Sequence, residues 1–118
     1  MLDDDISILE ICTVVLERAG YQITTFSNAD PILNGNFIEP DIFIIDKQLS
    51  GSEGADICHY LKNRVHNKDT PVIIFSASTD LDKYAATAGA DGFLEKPFQT
   101  KELRAIIEKH LRVHAANV

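Results

Sequence analysis

Apolar residues along the chain follow two alternating patterns, one with the spacing of a helix and one with that of a strand. Helical spacing occurs at five places: residues 6–19, after Asp30-Pro31, after the loop 50–54, about 82–88, and from about Thr100. Alternating or continuous apolar runs predict strands at four places: 21–26, 42–45, 72–75 and 92–95. Such alternation of strands and helices is typical of a parallel sheet with helices on both faces. The sequence therefore predicts an α/β fold.

Two of the predicted strands are apolar at every position. Ile42-Phe43-Ile44-Ile45 leads into Asp46, and Val72-Ile73-Ile74-Phe75 leads into Ser76. A strand that is apolar on both faces belongs in the middle of a parallel sheet. The helices are expected to cover that sheet with apolar faces, and the helix after the loop 50–54 carries four such residues: Ile57, Cys58, Leu61 and Val65.

Length and composition narrow the class of protein. The 118 residues suit one domain, and 45% hydrophobic residues supply a core without disulfides. A net charge of −7 argues against direct binding of nucleic acid, which requires a basic face. No apolar run reaches the roughly 20 residues that cross a membrane. The acidic start argues against a signal peptide, and two cysteines within helical patterns, Cys12 and Cys58, favour the cytoplasm.

Polar groups that can do chemistry follow the predicted strands. Asp3, Asp4 and Asp5 precede the first helix, while Asp46, Ser76 and Lys96 come directly after three of the strands. In doubly wound sheets, ligands bind at the carboxyl ends of the strands. We therefore expect these residues to lie at one edge of the sheet.

Carboxylates gathered at one edge repel one another and require a cation. Oxygen ligands with open water positions suit Mg²⁺. Asp46 follows a buried strand directly and is the best candidate nucleophile for phosphoryl transfer, which would form an acyl phosphate. Ser76 would then donate a hydrogen bond to the phosphoryl group, and Lys96 would supply a positive charge.

These residues lie in segments that resemble the response-regulator receiver family, whose flavodoxin-like fold is shared with CheY. The resemblance covers nearly the whole chain, 1–118, as one receiver domain. Four segments carry it: Leu2-Asp3-Asp4-Asp5, Asp41-Ile42-Phe43-Ile44-Ile45-Asp46, Phe75-Ser76-Ala77, and Gly89-Ala90-Asp91-Gly92-Phe93-Leu94-Glu95-Lys96-Pro97-Phe98.

The resemblance implies a doubly wound parallel sheet with the strand order 2-1-3-4-5. It implies Mg²⁺ bound by Asp3, Asp4, Asp46 and the backbone carbonyl of Gln48, with Ser76 and Phe93 as switch residues. Its implied function is two-component signal transduction, in which Asp46 accepts a phosphoryl group from a sensor histidine kinase or phosphotransfer protein. The domain would not be an enzyme beyond its own phosphotransfer, and it would act on a downstream effector protein. No nucleic-acid or membrane contact is implied, and a homodimer stays open.

The chain departs from the family pattern in three places. Ser50 stands where the family usually has proline, and Glu53 stands where it usually has Asp or Asn. The first strand is largely missing, since only Met1 and Leu2 precede the acidic residues. Such a gap would leave backbone groups unpaired. Three alternatives would avoid this: the chain start is truncated, another chain fills the gap, or the second strand shifts to pair with the third. We expect Mg²⁺ binding at Asp3 and Asp4 to be weakened.

Two other functions are compatible with parts of the sequence. A phosphatase of the haloacid-dehalogenase type also uses an Asp nucleophile, Mg²⁺, a Ser or Thr and a Lys, and the spacing of Asp3 and Asp5 matches its Asp-x-Asp pair. A pseudo-receiver that binds a partner without phosphorylation is the other alternative, which the missing strand favours.

Overall fold

The computed structural model describes residues 1–116, with side chains placed for residues 1–111. Ten elements follow one another along the chain: α1 (Ile6–Arg18), α2 (Asp30–Leu33), β1 (Phe43–Asp46), β2 (Gln48–Leu49), β3 (Ser52–Glu53), α3 (Gly54–Lys62), β4 (Val72–Ser76), α4 (Leu81–Ala88), β5 (Gly92–Glu95) and α5 (Thr100–Ala116). Within the described residues, no helix has both the length and the apolar character needed to cross a bilayer.

A parallel sheet forms the centre of the fold. Strand β4 lies between β1 and β5, and both pairings are parallel. Beyond β1, Leu2 makes isolated parallel bridges to Ile45 on one side and to Phe26 on the other. Side by side, the extended segments therefore run Phe26, Leu2, β1, β4, β5. The order of β1, β4 and β5 agrees with the end of the predicted order 2-1-3-4-5, whereas the first two segments contribute single bridges and no strand.

The predicted strand at 21–26 is wrong for most of its length, because within it Phe26 is the one described residue that forms a β-bridge. Strand pairing needs a neighbour, and the neighbour of this segment ends at Met1, whose carbonyl accepts the Phe26 N–H at 2.9 Å. The alternative in which this segment shifts to pair with the third strand is also wrong, since Leu2 stands between Phe26 and β1.

Buried side chains form two cores, one on each face of the sheet. One core joins the sheet to α2, α3 and α4 through residues such as Ile32, Ile57 and Ala85. The other joins it to α1 and α5 through residues such as Leu16 and Ile107. Strand β4 contributes to both, and its Val72-Ile73-Ile74-Phe75 run is fully buried, as the all-apolar pattern predicted.

Three local details differ from the sequence prediction. Val65 is 85% exposed because α3 ends at Lys62, before the apolar face can include it. Thr100 is the first residue of α5 rather than its N-cap, and the Glu102 carboxylate accepts the preceding Gln99 N–H at 3.0 Å. The loop after Asp46 contains a short antiparallel pair, β2 with β3, that its polar sequence did not indicate.

Candidate acidic phosphoacceptor site

The backbone ladder carries the acidic residues to one edge of the sheet. The Asp46 N–H donates to the Leu2 carbonyl at 2.9 Å, and the Asp3 N–H donates to the Phe26 carbonyl at 3.1 Å. Asp3 therefore comes directly after the single bridge at Leu2, and Asp46 is the last residue of the neighbouring strand β1. Lys96 comes directly after β5, and its N–H donates to the Ser76 carbonyl at the end of β4. The carboxyl ends of these parallel segments meet, as the sequence predicted.

Lys96 connects the two buried carboxylates of the site. Its Nζ lies 3.0 Å from Asp3 Oδ2 and 3.4 Å from Asp46 Oδ1. It also lies 4.4 Å from the centroid of the Phe75 ring, so the ammonium is packed over an aromatic face. Asp3 is 1% exposed and Asp46 is 9% exposed. A single ammonium group therefore pairs with two buried carboxylates.

Asp4 completes the acidic cluster and Asp5 does not belong to it. Asp3, Asp4 and Asp46 each offer an oxygen within 4.8 Å of the others. Asp4 is exposed, and Ser50 Oγ donates to its Oδ2 at 3.3 Å. Asp5 instead caps α1, where its Oδ1 accepts the backbone N–H groups of Ser7 and Ile8. The Asp3 and Asp5 pair that a haloacid-dehalogenase site would require is therefore not formed.

The site holds more negative charge than Lys96 neutralises. Burial raises the pKa of Asp46 above its ordinary value, the nearby Asp3 charge raises it further, and Lys96 acts in the opposite direction. An excess of carboxylate charge in a partly buried pocket favours binding of a cation. The donor set consists of carboxylate oxygens alone, which suits Mg²⁺.

Ser76 lies beside the acidic cluster but is turned to a different partner. It ends β4, whose Phe75 pairs with Asp46 in the sheet. Its Oγ accepts the Ser78 N–H at 3.2 Å and lies 3.2 Å from Ser78 Oγ. Among the described residues, the Ser76 hydroxyl makes no hydrogen bond to Asp46 or Lys96.

Two further predicted site residues, Phe93 and Gln48, lie on strands of the structure. Phe93 lies on β5 opposite Ile74 and is 38% exposed. Gln48 begins β2, two residues after Asp46, and its carbonyl as a metal ligand stays a prediction. The Lys96-Pro97 peptide bond is cis.

A second group of contacts around Asp46 was not predicted. Lys47 Nζ donates to Ser78 Oγ at 3.2 Å and lies 4.7 Å from the centroid of the Tyr84 ring. The Tyr84 hydroxyl accepts the Ala55 N–H and donates to a carboxylate oxygen of Glu53. The position of Lys47 directly after Asp46 was the one available signal, because Ser78 follows β4 and Tyr84 lies on α4, both distant from Lys47 in sequence.

Gly54 allows the loop to close against the end of β1. A Cβ atom at this position would lie 2.5 Å from the Asp46 carbonyl oxygen. The Gly54 N–H also donates to the Lys47 carbonyl. A side chain here would displace the backbone that carries Asp46.

Comparison with known families agrees with this geometry. The family described as response regulator receiver domain matches residues 1–108. The chain belongs to the response regulator receiver domain family. The receiver domain is a signalling domain of two-component systems, and the resemblance seen in the sequence is confirmed. A response regulator receiver domain protein from Clostridium thermocellum has a related structure, with a TM-score of 0.86 and 26% identity over 99% of this chain and 95% of that one.

Two of the similar curated proteins are response regulators by name. The chain is 36% identical over 122 residues to the heme response regulator HssR of Staphylococcus epidermidis, covering 99% of this chain and 52% of that protein. It is 30% identical over 115 residues to the DNA-binding response regulator MtrA of Mycolicibacterium paratuberculosis, covering 95% of this chain and 50% of that protein. The chain therefore spans about half the length of these relatives.

Proposed function

We propose that Asp46 accepts a phosphoryl group and that its phosphorylation changes a surface to which a downstream effector protein binds. The observation that carries this proposal is the position of Lys96, whose Nζ contacts both Asp46 and Asp3. A lysine held between two buried acids supplies positive charge where a phosphoryl oxygen would approach. The donor is proposed to be a histidine kinase or a phosphotransfer protein, as family membership implies.

The transfer itself needs little beyond positioning and charge. A carboxylate oxygen of Asp46 forms a bond to phosphorus as the bond between phosphorus and the donor's imidazole nitrogen breaks. That nitrogen keeps the electron pair of the broken bond, and the ring leaves as neutral imidazole because its other nitrogen carries a proton. Lys96 is already beside Asp46, so it needs no large movement to reach the transferred group. The domain is proposed to catalyse this transfer to itself and no further turnover.

Mg²⁺ would be held by Asp3, Asp4 and Asp46, with the Gln48 carbonyl as a further ligand by family resemblance. When bound, the ion neutralises charge on the transferring group. Two contacts fix the position of the Asp3 carboxylate for this role. Its Oδ1 accepts the Asp5 N–H at 2.9 Å, and its Oδ2 pairs with Lys96. The weaker Mg²⁺ binding expected from the missing strand stays a prediction, which a magnesium titration followed by NMR tests.

Ser76 and Phe93 are proposed to act as the switch. Ser76 would exchange its contact with Ser78 for a hydrogen bond to the phosphoryl group, and half-exposed Phe93 would then turn inward. The altered face would involve α4, β5 and α5. A cytoplasmic location and a single domain over all 118 residues stay predictions.

Incubation with acetyl phosphate and Mg²⁺, followed by intact mass measurement, tests the proposal. A single acid-labile phosphoryl adduct is expected, and Asp46→Asn should abolish it. Asp56→Asn is the matched control, because Asp56 is an exposed carboxylate on α3. An unmodified chain that still binds a partner would favour the pseudo-receiver, and steady turnover of para-nitrophenyl phosphate would favour a phosphatase.

A further inference from the structure

Three polar side chains form a chain of hydrogen bonds beside Asp46. Lys47 Nζ donates to Ser78 Oγ at 3.2 Å, and Ser76 Oγ donates to the same Ser78 oxygen, also at 3.2 Å. The Ser78 N–H closes the arrangement by donating to Ser76 Oγ at 3.2 Å. Two contacts from Ser78 thus hold the Ser76 hydroxyl, and Lys47 holds the Ser78 side chain in turn.

The sheet register brings these residues together. Lys47 comes directly after β1, and Ser76 is the last residue of β4, the neighbouring parallel strand. The Lys47 N–H donates to the Phe75 carbonyl at 3.0 Å, which continues the ladder one residue beyond β1. Lys47 therefore lies beside the loop after β4 that contains Ser78, although 31 positions separate the two residues.

Helix α4 also holds the Lys47 ammonium. Lys47 Nζ lies 4.7 Å from the centroid of the Tyr84 ring, and an aromatic face attracts a cation. The Tyr84 hydroxyl accepts the Ala55 N–H at 3.0 Å and donates to Glu53 Oε2 at 3.2 Å, so groups at the start of α3 position the ring. The ring and Ser78 together fix the position of the ammonium.

Lys47 has a neutral hydrogen-bond partner, in contrast to Lys96. Among the residues with placed side chains, Lys47 forms no ion pair, whereas Lys96 contacts both Asp3 and Asp46. Removing an ammonium is strongly destabilising when it leaves a buried acid without a partner. A substitution at Lys47 therefore removes the contact with Ser78 and leaves no such acid behind.

The contact with Lys47 makes the Ser76 hydroxyl harder to release. A hydroxyl has one proton, and Ser76 donates that proton to Ser78. Donation to a phosphoryl oxygen requires Ser76 to give up this partner. An ammonium donor keeps the Ser78 side chain in place, since hydrogen bonds to charged groups are the stronger ones. Without Lys47, Ser78 would rotate among its rotamers and would hold Ser76 for only part of the time.

We propose that Lys47 is a positioning residue that acts through Ser78 to hold the Ser76 hydroxyl in its unphosphorylated arrangement and thereby restrains the switch. This inference rests on the proposed function, in which Asp46 is phosphorylated and Ser76 donates to the phosphoryl group. The restraint stabilises the form in which Ser76 contacts Ser78, so the phosphoryl-bound form is populated less readily. Its loss should favour the phosphoryl-bound form by about three- to tenfold, the size of one hydrogen bond.

Titration with beryllofluoride at saturating Mg²⁺, followed by NMR, tests the proposal, because this anion stands in for a phosphoryl group on an Asp carboxylate. Lys47→Met keeps an unbranched stem against Tyr84 and removes the donor to Ser78. Ser78→Ala removes the acceptor and leaves the Lys47 charge in place. Each variant should bind beryllofluoride about three- to tenfold more tightly than the parent chain. The double variant should gain no more than either single one, because both changes remove the same contact.

A second measurement does not depend on phosphorylation. The Ser78 N–H is donated to Ser76 Oγ, so its hydrogen exchange in the metal-free chain reports on the arrangement directly. Lys47→Met should raise this exchange rate by about three- to tenfold. Lys83→Met is the matched control for both measurements, because it removes the same charge from an exposed position of α4. It should leave the exchange rate and the beryllofluoride affinity within about twofold of the parent values.

The outcomes separate this inference from the proposed function. A parent chain that neither binds beryllofluoride nor forms an acid-labile adduct would overturn both. A parent chain that binds, with unchanged or weaker binding in Lys47→Met or Ser78→Ala, would overturn the restraint alone, as would an unchanged exchange rate at Ser78. Additive gains in the double variant would show that Lys47 does not act through Ser78. Equal tightening by Lys83→Met would replace the restraint with a general effect of charge.

Discussion

Asp3 and Lys96 form an ion pair with 3.0 Å between Oδ2 and Nζ, although 93 positions separate them in the chain. Asp3 is 1% exposed, so its charge depends on this partner and on the Asp5 N–H. A buried carboxylate without a partner is strongly unfavourable. The pair therefore fastens the start of the chain to the end of β5 and aligns Lys96 with Asp46.

Replacing Lys96 by methionine should destabilise the fold. The change keeps the packing over Phe75 but leaves Asp3 and Asp46 facing each other without a cation. We expect the free energy of unfolding at pH 7 to fall by about 2–3 kcal/mol, somewhat less than for a fully buried pair. Urea denaturation without Mg²⁺ measures it. Lys101→Met on the exposed side of α5 is the control, and equal losses in both variants would contradict the role of the pair.

Asp46→Asn should stabilise the metal-free protein at neutral pH. The folded-state pKa of Asp46 is raised, so the folded protein holds this proton more tightly than the unfolded chain. Stability from this group is present at low pH and is lost as pH rises through the raised pKa. Removing the charge should raise the free energy of unfolding by about 1 kcal/mol at pH 7.

The gain in unfolding free energy from Asp46→Asn should shrink as pH falls toward 3.8, the ordinary pKa of an Asp carboxyl group. Urea denaturation at pH 7 and near pH 4, both with EDTA, measures this dependence. Asp56→Asn should give no comparable gain, because Asp56 is exposed. A gain for Asp46→Asn that is the same at both pH values would contradict a charge effect.

Asp4→Ala separates metal binding from folding. Asp4 is exposed and, among the described residues, its side chain hydrogen-bonds Ser50, so its loss should change metal-free stability by less than about 0.5 kcal/mol. Mg²⁺ at 100 times its dissociation constant should stabilise the parent chain by about 2.7 kcal/mol. Thermal unfolding with and without Mg²⁺ should show that Asp4→Ala loses most of this increment. An unchanged increment would remove Asp4 from the metal site.

The amino terminus should make stability depend on pH between 6 and 8. The Met1 ammonium has a pKa lowered from 8.0 to about 6, so the unfolded chain binds more protons in this window and stability rises with pH. Two pKa units correspond to at most about 2.7 kcal/mol, and solvent near exposed Thr24 should reduce this to about 1 kcal/mol. N-terminal acetylation should remove this part of the slope, and a slope unchanged by acetylation would contradict it.

Gly54→Ala should disturb the loop that follows Asp46. The added Cβ would meet the Asp46 carbonyl oxygen at 2.5 Å, and backbone cannot move aside as a flexible side chain can. We expect a loss of about 1–3 kcal/mol in unfolding free energy and chemical-shift changes at Asp46 and Lys47. Ala86→Gly, at an exposed position of α4, gives the size of an ordinary helix change for comparison. Full stability and unchanged shifts would show that the loop adapts.

The alternation of apolar runs was enough to predict the α/β class and the strands that carry the site. Phe43-Ile44-Ile45 and Val72-Ile73-Ile74-Phe75 are apolar at each position, so burial places them centrally whatever surrounds them. The location of Asp46 and Lys96 was predicted in the same way, because a residue that follows an apolar parallel-strand run lies at the ligand-binding edge of the sheet.

Contacts between distant segments decided the rest. Val65 continues a helical pattern but is exposed because α3 ends first, and residues 21–25 have a strand's composition but form no strand in the structure. The ion pair of Asp3 with Lys96 likewise exists only once the sheet is assembled. The sequence by itself determined the two central strands and the residues that follow their apolar runs, since these depend on local pattern. The tertiary structure decided which groups find a partner, since hydrogen bonds and ion pairs require two segments to meet at a fixed distance.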